Sequence, residues 1–579
     1  MRRLSSAAAT AALLVALALP SSGGAATGPY DPGAEAGAPS AAPPRLTEAA
    51  VIRTVLETPR VADWLERYPP APQTDAAFDR LRRTWTVHVW SGEAGEIARG
   101  VVTDPGGAVV EAWTGPQVAW KMARGRPGAF GGTTLTSWPV WVGLSALFLL
   151  GLVDVRRPLS LRSLDLLVLV SFGVSLAFFN RGEVLRSAAL AVPPLVYLLL
   201  RMAWVGFRRG PPGRGGLRLP GWPVWALVVA TLFLLGFRIG LNLQEERKVI
   251  DVGYAGVIGA DRILDGRAPY GAMPVEDGLR ACGRADADGE IRERIQSNGR
   301  CEAANPRGDT YGPVTYLAYV PAVLAFGWSG RWDALPAAHA AAIAFDLLAL
   351  AGLVLVGRRF GGTPLAAALA FGWVAYPFTS YVLLANSNDA LMPALLVWGF
   401  WLASSPGARG AAVALAAWTK FAALVVAPLW LTYPARLEPR RLARFALGFG
   451  VATLLAFSIL LLEPSLGDAL RTFWERTFGF QFDRESPFSI WGWGQYHARG
   501  IPDLASLQTV VQVGVVALAA VAALVPREKG PLELAALTAA LLLAFELSLT
   551  HWFYLYLPWV LPFVLLALCL PRGRAADDP

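Results

Sequence analysis

Eleven stretches, at 136–153, 163–179, 185–206, 221–241, 335–357, 363–383, 388–404, 445–463, 505–525, 530–549 and 551–570, are apolar over all or nearly all of the ~20 residues that a helix needs to cross a bilayer. No other feature limits the fold so tightly. Backbone polar groups in hydrocarbon must be satisfied within the spanning segment, so runs of this length are buried as helices packed side by side. Composition agrees: 54% of the 579 residues are hydrophobic and 16% charged, against about 25% charged in soluble domains. The expected fold class is an all-α polytopic membrane protein.

The basic residues between the runs give an orientation. Arg156, Arg157 and Arg162 follow the first run; Arg201 lies near the end of the third, and Arg208, Arg209, Arg214 and Arg218 follow it. Short basic loops stay in the cytoplasm, so the fourth run exits outward and 242–311 lies outside. Treating 312–328 as a helix resting on the outer surface keeps Arg358 and Arg359 inside. Folding 410–434 into two short helices that meet near Thr419-Lys420 returns Arg436, Arg440, Arg441 and Arg444 to the inside. Loop 464–504 and THWFY (550–554) are then outside, while PREKG (526–530) and PRGR (571–574) are inside. The count is about thirteen membrane helices, two of them short. The net charge of +8 is carried largely by these loop arginines, so no nucleic-acid partner is implied. Three Cys and four His leave no multi-Cys or multi-His metal cluster.

The chain divides further by composition. Residues 1–26 have a basic start, a short apolar stretch and a small-residue end, the pattern of a signal peptide or an uncleaved anchor, which puts 27–130 outside the cell membrane. Residues 27–45 are Pro, Gly and Ala rich and read as a disordered tether. Residues 46–130 form a small α+β extracytoplasmic module: Val51, Val55, Val61 and Leu65 space out an amphipathic helix over 46–67, and TWTVHVW, EIARGVVTD and GAVVEAWTG are three alternating strands. His88 falls in a strand. Residues 131–220 hold three additional transmembrane helices, 221–571 a transmembrane core with outer loops 242–334 and 464–504, and 572–579 a cytoplasmic tail.

The longest loops are outside, so any site should face outward. Cys282 and Cys301 share the oxidising side and are expected to form a disulfide around an insertion rich in Asp, Glu and Arg; Cys569, in the last run, is inert packing. The stretch VIDVGYAGVIGADRILDGRAPYG (249–271) follows the fourth run. As a helix it clusters Ile250, Tyr254, Val257, Ile258 and Ile263 on one side and turns Asp251, Asp261 and Arg262 toward water or headgroups, with Pro269-Tyr270-Gly271 as its closing turn. A carboxylate held there can deprotonate a hydroxyl as it attacks; it can equally be a helix-starting acid beside the macrodipole. Asp346 and Glu546 lie within spans, where acids are paired or functional, and sequence assigns neither a role.

The spacing of Asp251, Tyr254-Ala255, Ile263-Leu264, Gly266 and Pro269-Tyr270, followed by TYGPVTYLAYVPAVLAFG (310–327), resembles the first outer loop of polyprenyl-phosphate-dependent glycosyltransferases of the GT-C fold. It is most similar to glycosyltransferase family 87, the polyprenyl-phosphate-mannose-dependent mannosyltransferases. The likeness runs through 221–570. It implies that Asp251 is the catalytic base, and that the interfacial helix carries a Tyr-x-Pro-Pro-like start, from which Tyr311-Gly312-Pro313 departs by one Pro. In LLANSNDALMPALL (383–396) it makes Asn386, Asn388 and Asp389 candidates for sugar or phosphate contacts, with helix capping as the plain alternative. Lys420, at the tip of the short helix pair, would pair with the lipid phosphate or snorkel. Arg476 and Arg484 in FWERTFGFQFDRESPFSIWGWGQYH are possible phosphate ligands or solvated loop charges. His551 would contact donor or acceptor, or simply sit in an aromatic belt. The amino-terminal module resembles a PepSY domain in VVTDPGGAVVEAW, which implies a binding or inhibitory appendage.

The implied function is transfer of a sugar, mannose or another hexose or pentose, from a polyprenyl-phosphate-sugar donor to a glycan, glycolipid or glycoprotein acceptor outside the plasma membrane. A divalent cation is possible and not required. Two other readings stay open: a flippase that moves a lipid-linked sugar without chemistry, against which no internal repeat is seen, and a non-catalytic envelope sensor on the same scaffold.

Overall fold

The computed structural model describes residues 43–571 other than 81–82, 92–94, 115–130, 155–156, 181–183, 209–216, 218, 245–248, 275–278, 284–290, 292, 297–298, 300, 304–307, 329–334, 436–437, 483–485, 487 and 493–503. The signal or anchor at 1–26, nearly all of the tether and the tail at 572–579 lie outside the described residues. An amino-terminal unit and a helical unit are each compact.

In the amino-terminal unit the expected single helix is two, Glu48–Leu56 and Pro59–Leu65. The division falls at Thr58-Pro59, where a residue without an N–H fits the first position of a new helix and would break the interior of an old one. Four strands follow rather than three: β1 (Gln73–Asp79), β2 (Thr84–Ser91), β3 (Gly95–Thr103) and β4 (Val109–Thr114), an antiparallel meander in chain order. β1, QTDAAFD, has only Thr74 and Phe78 as strand formers among residues mostly depleted in strands; it pairs with β2 from Gln73↔Trp90 to Asp79↔Thr84. The helical side of the sheet closes on Val51 and Val55, and a Cβ at Gly100 would lie 2.5 Å from Val55 Cγ2. His88 is a β2 residue whose Nδ1 lies 2.7 Å from Glu96.

In the helical unit every apolar run is helical, and among the described residues six helices are long and apolar enough to cross a membrane: Leu161–Asn180, Arg186–Phe207, Val224–Gln244, Pro336–Ala375, Pro439–Leu462 and Ala505–Leu524. The 40-residue stretch is two helices, since Gly362 sits at φ 68° and a Cβ on Gly357 would be 2.4 Å from Ala366 Cα: the chain doubles back there and its halves touch. Residues 406–431 form Pro406–Ala417 and Phe421–Val426 with Ala427–Leu431, broken at 418–420. The segment 312–328 holds one helix, Pro313–Phe326.

Two acids within spans are ion-paired, whereas Glu546 is buried with Trp552 Nε1 donating to it at 3.0 Å and its other oxygen unpartnered among the described residues. Arg238 and Asp346 form a buried ion pair, with Trp373 Nε1 donating to Asp346 at 2.8 Å and Arg238 donating to Thr379 Oγ1 at 3.2 Å. Asp165 accepts from Arg201 at 3.1 Å and Tyr197 at 2.9 Å. The hydroxyls of Ser175 and Ser187 each lie 2.6 Å from that of Tyr554, so the added helices are locked to the late aromatic segment by buried hydrogen bonds. Loops assigned to one side by charge also meet: Arg359 donates to Trp401 O and Ser404 Oγ, Lys529 N to Pro434 O at 2.7 Å, and, among loops assigned to the other side, Ser489 Oγ to Thr550 O at 2.7 Å.

Candidate active site

The helix that follows the fourth span, Asp251–Leu264, is not the surface helix its spacing suggests. Residues 252–260 are all buried. Its glycines recur every third residue, and Cβ atoms there would lie 2.4 Å from Asn386 O at Gly253, 2.4 Å from the Tyr319 ring at Gly256 and 2.1 Å from the Tyr316 ring at Gly259. Amphipathic spacing recorded the apolar residues and missed that small residues line the opposite face. The helix ends at Asp265, with Gly266 at φ 74°, rather than at Pro269-Tyr270-Gly271.

Asp251 is the first residue of this helix and is exposed. The preceding amide, Ile250 N, donates to Ala385 O at 3.2 Å. That bond and the Gly253 contact set the acid beside the turn at 385–389. Asn386 in that turn adopts φ 53°, a conformation Asn tolerates better than most residues, and its Oδ1 accepts from Asn242 Nδ2 at 2.8 Å. His339 Nδ1 donates to Asn242 Oδ1 at 3.0 Å, so Asn386 is fixed by a buried relay. Asn388 is fully buried, and among the described residues neither of its side-chain polar atoms has a hydrogen-bond partner. An amide in that state costs free energy until something polar reaches it.

Asp389 is the hub. Its carboxylate accepts from Ser387 Oγ, from Trp559 Nε1 at 3.1 Å and from the Lys420 ammonium at 3.2 Å. Lys420 in turn lies 4.5 Å from the centroid of the Tyr311 ring. Lys420 gets there because the break at 418–420 docks on the start of helix Pro313–Phe326: Val314 N donates to Trp418 O at 3.1 Å and Thr315 Oγ1 to Thr419 O at 2.9 Å. Gly312 accounts for the departure from a Tyr-x-Pro-Pro start, since even a Cβ there would be 2.1 Å from Trp418 O.

Arg476 reaches the same place from a π-helical turn, Glu475–Gly479. Phe478 of that turn stacks on Phe421, the neighbour of Lys420, with ring centroids 4.3 Å apart. Arg476 Nε donates at 2.6 Å to Asp309 Oδ2, which also accepts from Gly271 N at 2.7 Å. Asp309 is fully buried, and its Oδ1 has no partner among the described residues. Tyr270 donates to Tyr311 O at 2.9 Å; burial, and then the Asp309 charge, hold its hydroxyl well above its ordinary pKa, so it remains a donor. His551 is one remove away. It bonds Ser486 Oγ at 2.8 Å through Nδ1 and lies 6.5 Å from the Tyr556 ring, which stacks at 4.2 Å on Trp559, the donor to Asp389. Arg484 lies outside the described residues.

Thus Asn388, Asp389, Lys420 and Tyr311 share one cluster, Arg476 flanks it, Asn386 and Asp251 border it, and His551 supports its far wall. Asp309, Ser387, Asn242 and Trp559 had not been singled out from sequence. For Ser387 the NSND string (386–389) itself is a signal, because short polar side chains bond their own backbone neighbours; Asp309 has none. Cys282 and Cys301 form a disulfide with Cα atoms 5.9 Å apart, beside the ribbon Glu293–Ile295 with Cys301–Ala303. Among the described residues no group of three or more His, Cys, Asp and Glu is arranged to hold a metal.

No family model matches the chain, and no curated protein does. A solved structure that it resembles is ArnT from Cupriavidus metallidurans bound to undecaprenyl phosphate, at 16% identity and a TM-score of 0.37, over 60% of this chain and 59% of that one.

Proposed function

We propose that the protein is a membrane glycosyltransferase of the GT-C type that transfers a sugar from a polyprenyl-phosphate donor to a hydroxyl acceptor on the outer face of the plasma membrane. The observation that carries this reading is that two cations from distant segments serve one short loop, Lys420 over the Tyr311 ring and Arg476 on Asp309, two residues before it. Each is tethered by a carboxylate, Asp389 or Asp309, so each is oriented without leaving a net positive hole. An ammonium and a guanidinium held this way suit a phosphate that gains charge as it leaves. The buried amide of Asn388, lacking partners, is a group that a sugar hydroxyl or phosphate oxygen would complete.

In the proposed step Asp251, exposed at its helix start, takes the proton of the acceptor hydroxyl. That oxygen forms a bond to the anomeric carbon, the bond from carbon to phosphate oxygen breaks, and the polyprenyl phosphate departs with the electron pair, inverting the centre. The resemblance to family 87 favours mannose as the sugar. On this reading the amino-terminal module and the loops 242–334 and 464–504 share the outer side. The test uses protein in lipid with polyprenyl-phosphomannose and an acceptor glycan extract, comparing wild type with Asp251→Asn. Loss of turnover with retained donor binding is expected; equal turnover would remove Asp251 as base.

A further inference from the structure

Next to the cation pair, on the other side of Tyr270, lies a half-open cavity of about 260 Å³. Its wall includes Ala268, Tyr270, Glu463, Ser465, Asp468 and Thr472. The volume is near the lower end of the ~300–1,000 Å³ of small-molecule sites and is room for a single saccharide ring. The lining is unlike the cation side: the carboxylates of Glu463 and Asp468, two hydroxyls and the Tyr270 ring, among apolar Leu460, Pro464 and Ala469. The frame is built. Glu463 Oε1 accepts from Ala268 N at 2.9 Å, which leaves its other oxygen for a ligand, and Ser465 caps helix Leu466–Trp474, accepting from Asp468 N at 3.3 Å. Tyr270 is shared: its ring forms the cavity wall, and its hydroxyl holds Tyr311, over whose ring Lys420 sits. Directly behind it, Gly271 N is held by Asp309, whose second oxygen is buried and unpartnered among the described residues.

The geometry points to this cavity as the acceptor subsite, taking a neutral or amino sugar and refusing acidic ones. The inference rests on the donor reading above. Charge sorts the two substrates: the donor's phosphate is drawn to Lys420 and Arg476 and repelled by Glu463, Asp468 being already paired with Arg471, whereas sugar hydroxyls are donors that carboxylates and hydroxyls accept. A ring seated against Tyr270 would stand between the two regions.

Saturation-transfer NMR on the full chain in nanodiscs tests it, with methyl mannoside and methyl glucuronide as probes and undecaprenyl phosphate binding measured separately. A carboxylate ~6 Å from a uronate at an effective dielectric of ~40 costs about tenfold in affinity, so wild type should favour the mannoside by at least that factor. Glu463→Gln should bring the two probes close together, with Asp468 left on Arg471. Ser465→Trp should remove both signals while undecaprenyl phosphate still binds, which also shows that the variant is folded. Equal binding of the glucuronide to wild type, or probe signals that survive Ser465→Trp, would overturn the inference. Failure of undecaprenyl phosphate to bind wild type would overturn the donor reading instead, and the contrast between the probes would still decide the cavity.

Discussion

Arg476→Ala separates what Arg476 does for the fold from what it does for a phosphate. Arg476 is the cation on a carboxylate that has no exposure: Asp309 Oδ2 receives Arg476 Nε at 2.6 Å and Gly271 N at 2.7 Å, and Oδ1 receives nothing among the described residues. Removing the guanidinium strands that charge with one amide for company. Breaking a buried pair from one side costs about 3–5 kcal/mol, and because the Arg476 side chain is itself 31% exposed, the lower end applies. Adding Asp309→Asn removes the stranded charge while keeping a carbonyl oxygen for Gly271 N, so more than half of the lost stability should return. Donor affinity should not. A charge-assisted contact to phosphate is worth about 1.5–3 kcal/mol, or roughly tenfold to a hundredfold in affinity, and the second substitution supplies no new cation. The assays are thermal unfolding and undecaprenyl phosphate binding, both in nanodiscs, for wild type, both single variants and the double. If Arg476→Ala binds undecaprenyl phosphate as wild type does, Arg476 is only a brace for Asp309. If Asp309→Asn restores affinity to the Arg476→Ala protein, the loss came from the stranded carboxylate. Either result refutes the assignment of Arg476 to the phosphate.

Two further outcomes follow from single contacts. Gly312→Ala would push a Cβ to 2.1 Å from Trp418 O, and backbone cannot yield as a side-chain tip does; overpacking of this kind costs about 1–3 kcal/mol. It should lower the unfolding temperature and cut sugar transfer at least tenfold, measured by donor turnover, since the same junction carries Lys420. Lys529 is buried, donates to Ala523 O at 3.0 Å, and burial pushes its pKa down to about 8. The unfolded chain therefore holds a proton that the folded one releases, and stability from this group rises as pH climbs from about 8 toward 10.5. Unfolding temperature followed over that window should rise more steeply in wild type than in Lys529→Met; identical slopes would refute the assignment.

What the sequence discloses here is what is local. Span lengths, the Pro-marked helix starts and the break at Thr419-Lys420 are written in contiguous residues, and the structure has helices at each run and a turn at 418–420. β1 is illegible in the sequence because Thr74 and Phe78 alone favour a strand in Gln73–Asp79, which is ordered by pairing with β2. The Asp251 helix was misread as amphipathic because periodicity weighs hydrophobic residues and is blind to glycines that admit another backbone or ring. Arg238 and Asp346 could have been matched, since each is a lone charge within a span and such charges seek partners.

Asp309 could not. It lies in a loop with no motif, and its partners come from Gly271 and from Arg476, 167 residues away. Nothing short of the assembled loops brings these together. The residues most easily nominated from sequence, Asp251, Asn388, Asp389 and Lys420, are those that would touch a donor or an acceptor directly. The carboxylates and aromatic rings that aim them, Asp309 under Arg476 and Trp559 on Asp389, are fixed by closure between distant segments. A single substitution in a nominated residue therefore tests chemistry and support together, whereas the paired substitution at Asp309 and Arg476 separates them.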